Sequence, residues 1–349
     1  VQKDISKAIR LANELYPDYE FVHSNFVDYL EAVQKDLPKD LGDVEGELTS
    51  QETDGWYTLA NTASARVYLK QWNTKVQRQL ENITEPLATM AHEVTGEYPH
   101  DQLDYAWKTL MQNHPHDSIC GCSVDSVHRE MITRFEKANE VGKYLADEAL
   151  RQLGEAIDTS GLPEASYPFV VFNTAGSPKT GEAEISIELE RKRFAEGIPE
   201  ALYAELEQRP KKVYHVETVD GKKLSAMISE EKVAFGYDLP KDRFRVPYMA
   251  RTITIRLPIT EMPAFSWETF VLVEGAAEEQ AGTLIEDAGR VLKNDQVQLE
   301  IQSNGTLTLT DKVTGVVLDD LLVFEDVGDV GNEYIFKQPE NDQAILSKK

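Results

Sequence analysis

The chain has 349 residues and sets 36 Lys and Arg against 61 Asp and Glu, for a formal net charge of −25. That length favours two or three domains, each able to bury its own core. The charge repels phosphate backbones and anionic lipid headgroups, so neither nucleic acid nor a membrane surface is expected as a partner, and no apolar run is long enough for a spanning helix.

The chain opens at Val1 inside an amphipathic pattern, with Ile5, Ala8, Ile9, Ala12 and Leu15 at helical spacing, and reads as cut from something longer. Residues 19–22 form a short aromatic and β-branched run, predicted as a strand. Asn25, with Asp28 three residues on, resembles a capping box opening a second helix through Phe26, Tyr29, Leu30 and Val33. Helix, strand, helix is the alternation of an α/β domain, and one strand cannot bury itself, so residues 1–62 are expected to be the C-terminal part of a larger one. Residues 36–58 read as loop, punctuated by Pro38, Gly42, Gly46 and Gly55. They carry Gly46-Glu47-Leu48, where a loop Glu is ordinarily just solvated.

Residues 63–160 predict a three-helix bundle. Leu69, Trp72, Val76, Leu80, Ile83, Leu87, Met90 and Val94 step by three or four, with Pro86 forcing a kink or restart near Thr84. A second helix over residues 101–113 buries Leu103, Trp107 and Leu110. A third begins after residue 122 with Ser123 as its expected N-cap, and carries Val124, Val127, Met131, Phe135, Ala138, Val141, Leu145, Ala149 and Leu153 on one face. The texture then turns to β. Runs at 169–172, 184–189, 213–219, 251–257 and 269–273, with a hairpin signal at Asp220-Gly221, predict an antiparallel sandwich over 165–275. A small-residue acidic linker at 276–282 leads into 283–349, where strands at 297–301 and 307–309 meet around Asn304-Gly305 and open a second, larger β domain. The expected fold class is a multidomain α+β chain: the remnant of an α/β domain, a three-helix bundle and an antiparallel β-sandwich region.

Between the second and third bundle helices lies a polar elbow, residues 113–130, holding three of the chain's seven histidines (His114, His116, His128) and both cysteines, Cys120 and Cys122. Two cysteines in so long a chain argue against a disulfide scaffold and for a reducing, cytoplasmic setting, and their spacing would strain a mutual disulfide. The spacing leaves four chemistries open. A self-contained zinc site has permissible ligands, but its thiols are one residue apart where a knuckle uses two to four. A thiol redox pair at a helix mouth is a second reading. One or two groups could ligate a metal that distant residues complete. Or His and Asp simply satisfy backbone groups while the cysteines pack.

Asn113-His114-Pro115-His116-Asp117-Ser118-Ile119, preceded by Trp107-Lys108 and followed by Val127-His128-Arg129-Glu130, resembles the His-Asp signature of glycoside hydrolase family 38, the α-mannosidases. Gly46-Glu47-Leu48 is similar to a loop ending that family's catalytic domain, Glu85-Pro86-Leu87-Ala88 lies within a helix like the first of its bundle, and Gly328-Asp329-Val330-Gly331-Asn332-Glu333-Tyr334 resembles a turn of its β region. The details look closest to the bacterial branch that includes mannosylglycerate hydrolases. The resemblance implies a retaining glycosidase whose Zn2+ grips sugar hydroxyls, with His116 as a zinc ligand, Asp117 contacting substrate hydroxyls or steadying that ligand, and Glu47 as candidate general acid/base. It implies that Cys120 and Cys122 are packing residues and that His114 and His128 are structural.

The family's other zinc motif, His-x-Asp followed by Trp, and its nucleophilic Asp are absent, and are expected before Val1. The chain alone is therefore expected to be inactive and to hold zinc weakly. The expected partner is an α-mannoside, with mannosylglycerate or its 6-phosphate as alternatives, and a homodimer is left open. A reading from another class is a carbohydrate-binding or scaffolding module without chemistry.

Overall fold

The computed structural model describes residues 3–43, 59–240, 242–276 and 285–348. They fall in two compact units, Val1–Glu52 and Thr53–Lys349. The described residues of the first unit hold two helices, α1 (Ile5–Leu15) and α2 (Phe26–Lys35). The capping box forms: Asn25 Oδ1 accepts from the Val27 and Asp28 amides at 2.9 and 3.0 Å, and its Nδ2 donates to Asp28 Oδ2 at 2.7 Å. Residues 19–22 are not a strand, which corrects the sequence expectation. A strand needs a ladder partner, and here the Asn13 side chain takes its place, donating to the Phe21 carbonyl at 2.9 Å and accepting from the Phe21 amide at 2.8 Å. None of the described residues of this unit is buried, so its apolar faces build no core of their own.

The second unit opens with the bundle. Helix α3 (Val67–Arg78) runs through a π segment, Gln79–Thr84, into α4 (Glu85–Thr95). Pro86 explains the interruption, because it has no N–H to donate to the carbonyl of Asn82 and its ring crowds that carbonyl. The freed Asn82 oxygen accepts instead from the Thr174 hydroxyl at 2.7 Å, which ties the bundle to the β region. The long third helix approaches closely at the same place: a Cβ on Gly142 would meet Leu80 Cδ2 at 2.9 Å, and the Thr84 hydroxyl lies 2.9 Å from the Gly142 carbonyl.

Helix α5 (His100–Met111) leads through the short α6 (His116–Cys120) to α7 (Asp125–Glu155). The expected cap at Ser123 is corrected to Val124, which makes no side-chain cap bond. One core cluster joins Leu69, Val76 and Leu80 with Ala106 and Leu110 of α5 and Met131, Phe135 and Ala138 of α7. Trp72 stacks on Phe135 with ring centres 6.4 Å apart. A second cluster, of Leu87, Ala91, Ala146, Ala149 and Leu153, reaches Phe172 of the β region.

Among the described residues fifteen strands follow. The sandwich takes β1 (Ser166–Asn173), β2 (Lys179–Arg193), β3 (Tyr214–Thr218), β4 (Lys223–Leu224), β5 (Met227–Ile228), β6 (Lys232–Asp238), β7 (Val246–Met262) and β8 (Ser266–Glu274). One antiparallel sheet has the order β1-β8-β3-β4, and the other β2-β7-β5 with β6 also on β7. Their inner faces share one core, in which Phe169, Val216, Phe270 and Leu272 meet Ile187, Ile253, Ile255 and Leu257. Period-two alternation of side chains puts those residues inward. Helix α8 (Pro199–Glu207) buries Leu202 and Leu206 one turn apart.

The C-terminal part holds β9 (Ile285–Glu286), β10 (Val291–Lys293), β11 (Val297–Ile301), β12 (Leu307–Asp311), β13 (Val317–Leu321), β14 (Glu325–Asp326) and β15 (Ile345–Leu346). Strands β9 to β13 make one sheet of consecutive antiparallel neighbours, and β14 pairs with β15. Among the described residues no helix is long and apolar enough to cross a membrane.

Candidate functional site

The elbow is held from behind by buried or backbone groups. Asn113 is fully buried and its Nδ2 donates to the Met131 carbonyl at 3.1 Å, joining the end of α5 to α7. His114 pairs with Asn73 Oδ1 at 2.7 Å, and Ile119 packs on the bundle core. Pro115 sets the first turn of α6: its carbonyl accepts from the Ser118 and Ile119 amides at 2.9 and 3.1 Å. Gly121 ends that turn in the left-handed region (φ 82°), and a Cβ there would sit 2.7 Å from the Ala65 carbonyl oxygen. Only glycine satisfies both demands.

Arg66 closes the elbow from the front. It donates to the Gly121 carbonyl at 2.5 Å and pairs with Asp125, in the first turn of α7, at 2.8 Å. That pairing holds the Asp125 carboxyl below its usual range. His128 is 2% exposed and neither ring nitrogen has a hydrogen-bond partner. Burial, and then the positive charge of Arg66, push its pKa down, so it is a neutral core histidine, as the sequence suggests.

The two residues expected to work stand at the head of this mount. The His116 side chain is 90% exposed and that of Asp117 61%, with Nε2 and Oδ1 3.3 Å apart. The elements below fix the backbone while leaving both functional groups free to meet something outside the bundle. Zinc is the group the family resemblance implies. An imidazole and a carboxylate are the right donor types, but a zinc site takes about four ligands. Among the described residues no group of three or more His, Cys, Asp or Glu could hold a metal ion. The described chain thus presents donors for one side of such a site and does not fit a closed one. Glu47 lies outside the described residues.

The structure adds a residue to the elbow that the sequence did not put there. The 328–334 turn docks on the start of the bundle, where the Asn61 amide donates to the Tyr334 carbonyl at 3.3 Å and Asn61 Nδ2 donates to Asp329 Oδ2 and the Asn332 carbonyl at 3.1 and 2.8 Å. Asp329 holds the turn shut by accepting from the Gly331 and Lys337 amides at 2.7 and 2.9 Å. This brings the Tyr334 hydroxyl to Cys122. Its pKa is pushed up to about 12, first by the hydrogen bond to Cys122 and then by electrostatic interaction with that sulfur, with burial and Asp117 adding to it. Cys122 Sγ in turn lies 3.5 Å from Asp117 Oδ1. Asp117, Cys122 and Tyr334 therefore form one connected group beside His116. The turn was recognisable in sequence, but its landing place was not.

Two protein-family models match the chain: the alpha mannosidase middle domain over residues 58–153 and the glycosyl hydrolases family 38 C-terminal domain 1 over residues 164–274. The chain belongs to glycoside hydrolase family 38, of which it carries the helical bundle with its His-Asp elbow and the following sandwich. Among individual relatives, a "Putative mannosylglycerate hydrolase" of Halalkalibacterium halodurans is 39% identical over 340 residues, covering 97% of this chain and 38% of the relative. The solved structure of an alpha-mannosidase from Enterococcus faecalis V583 superposes with a TM-score of 0.81 at 62% identity, over 99% of this chain and 39% of that one. A family 38 protein from Enterococcus faecalis gives a TM-score of 0.78 at 57% identity, over 99% and 40%. The chain thus spans about two fifths of the length of the relatives it matches.

Proposed function

We propose that this chain is the bundle and β portion of a retaining, zinc-dependent α-mannosidase of the cytoplasm, and that its elbow supplies one corner of the catalytic site. The observation that carries the reading is the exposed His116–Asp117 pair, held by Asn113, Gly121 and Arg66 on a buried bundle. In this reading His116 donates a ring nitrogen to zinc, which would grip the sugar's hydroxyls when bound. Asp117 accepts hydrogen bonds from those hydroxyls, and the Tyr334 hydroxyl lines the rim beside it. Glu47 serves as general acid/base, a role that needs a carboxyl with a raised pKa about 5–5.5 Å from the nucleophile. The nucleophile and the remaining ligands belong to residues outside this chain.

Turnover of a nitrophenyl α-mannoside by the intact protein, abolished by a chelator and restored by Zn2+, tests this directly. Full activity in the presence of the chelator would sink the zinc assignment. The 349-residue chain by itself is expected to give no turnover. A second reading, hydrolysis of mannosylglycerate or its 6-phosphate, is favoured by the 39% identical relative named for the first of these substrates. Comparing kcat/KM on mannosylglycerate and on the nitrophenyl mannoside separates the two. A non-catalytic carbohydrate-binding module would turn over neither.

A further inference from the structure

Two pieces of chain reach the elbow from outside it, one carrying Arg66 and the other Tyr334, and both are tied to Asn61. On the bundle side, the Asn61 carbonyl accepts from the Ser64 and Ala65 amides at 3.1 and 2.7 Å, which shapes the short turn Ala60–Ala63. That turn sets Ala65 against Gly121 and brings Arg66 to the Gly121 carbonyl. It is bounded by Leu59 and Arg66, each at φ 47°. Neither residue has glycine's freedom in the left-handed region, and such strain persists only where the surroundings impose it, most often at functional sites. On the β side, the Asn61 amide donates to the Tyr334 carbonyl, and Nδ2 donates to Asp329 Oδ2 and the Asn332 carbonyl. The turn so gripped is rigid in itself. Asp329 Oδ1 accepts from the Gly331 and Lys337 amides, Asn332 Oδ1 accepts from the Tyr334 and Ile335 amides at 2.9 and 3.1 Å, and a Cβ on Gly331 would overlap the Ile335 carbonyl oxygen. Among the described residues, the hydrogen bonds from residues 328–337 to the bundle run to Asn61, and from Tyr334 to Cys122. A rigid turn is placed by its attachments, and here one of the two is the side chain being placed.

We propose that Asn61 is a positioning residue, a latch that fixes the Tyr334 hydroxyl at the rim beside Asp117. A side-chain amide has two N–H donors, and the two acceptors on the turn, Asp329 Oδ2 and the Asn332 carbonyl, take both. Truncating that amide to a methyl group leaves the bundle holding the turn by the single backbone bond of 3.3 Å to the Tyr334 carbonyl. The turn then shifts as a body and carries Tyr334 with it. Asn61 acts through Tyr334 and not on substrate. Its effect on turnover rests on the elbow being part of the glycosidase site, whereas its hold on Tyr334 does not.

The test is a double-mutant cycle in the intact protein. Asn61→Ala should lower kcat/KM on the nitrophenyl α-mannoside by about a hundredfold, the scale that a misplacement of about 1 Å costs. In a Tyr334→Phe background the hydroxyl to be positioned is already gone, and the same replacement should cost less than about twofold. A loss that multiplies in full in both backgrounds would make Asn61 a merely structural residue and overturn the proposal. Two further readouts need no turnover. In Asn61→Ala the amides of Gly331 and Lys337 should exchange hydrogen faster, and Cys122, no longer held by Tyr334, should be alkylated faster than in the unaltered protein. Unchanged rates would overturn the proposal. If the unaltered protein turned over no mannoside, the glycosidase reading would fail, and the latch would still stand or fall on those two rates.

Discussion

Phe135, about a third of the way along α7, has none of its surface exposed, whereas His116, in the elbow before that helix, keeps 90% of its side chain in solvent. The bundle around Phe135 is apolar and close-packed. The elbow is polar and held by a few directed bonds to Arg66, Asn113 and Gly121. The contrast assigns stability to the first region and chemistry to the second. Substitutions in the bundle should cost folding free energy, and those at the head of the elbow should cost function alone.

The largest effect is expected from Phe135→Ala, which removes a fully buried ring stacked on Trp72. Denaturant unfolding should show a loss of about 3–5 kcal/mol, and a loss below 1 kcal/mol, taken as about the cost of one methylene, would break the picture of a packed bundle. Gly121→Ala comes next, since it puts a Cβ 2.7 Å from the Ala65 carbonyl at a positive φ. A cost of about 1–3 kcal/mol is expected, together with a larger fall in turnover than Phe135→Ala causes in the molecules that remain folded. Equal turnover per folded molecule would blur the division between the two regions.

Thr174→Val leaves the Asn82 carbonyl, freed by Pro86, without its partner. About 0.5–1.5 kcal/mol should be lost, and thermal melts that stay superimposed would show that water replaces the hydroxyl at no cost. A pH dependence marks the boundary between the regions. His128 has its pKa lowered in the folded state from an ordinary value of 6.5. Above that value both folded and unfolded chains hold it neutral, and it contributes nothing. As pH falls below about 6.5, the unfolded chain takes up a proton that the folded one resists, so stability declines until the folded pKa is passed. Melting temperatures followed from neutral to mildly acid pH should therefore fall less steeply in His128→Leu than in the unaltered protein. Parallel slopes would remove His128 from the account.

Much of this division was legible in the sequence. The helical steps of Leu69 to Leu87 and of Met131 to Leu153, and the alternation about Ile253 to Leu257, follow directly from burying one face of a helix or strand. Residues 19–22 misled because β propensity is local, whereas a strand exists only with a neighbour. Helix α8 was missed although Pro199 in its first turn and Leu202 with Leu206 carried its signal. Strand β6 was missed too, although its residues 232–238 pair along β7. At the elbow, the motif singled out His116 and Asp117 as candidates, and both side chains stand exposed there. The approach of Tyr334 to Cys122 could not be named in the same way, since it depends on Asn61 catching a turn 268 residues further on, and such long-range contacts leave no periodicity to read.

The central claim is that His116 acts for function and not for folding. Replacing it in the intact protein by alanine should leave the melting temperature within the change that about 0.5 kcal/mol produces, as for other exposed positions. The same variant should lose zinc-supported turnover of the nitrophenyl α-mannoside. Turnover retained in His116→Ala, with the fold intact, would contradict the assignment of the elbow to the catalytic site.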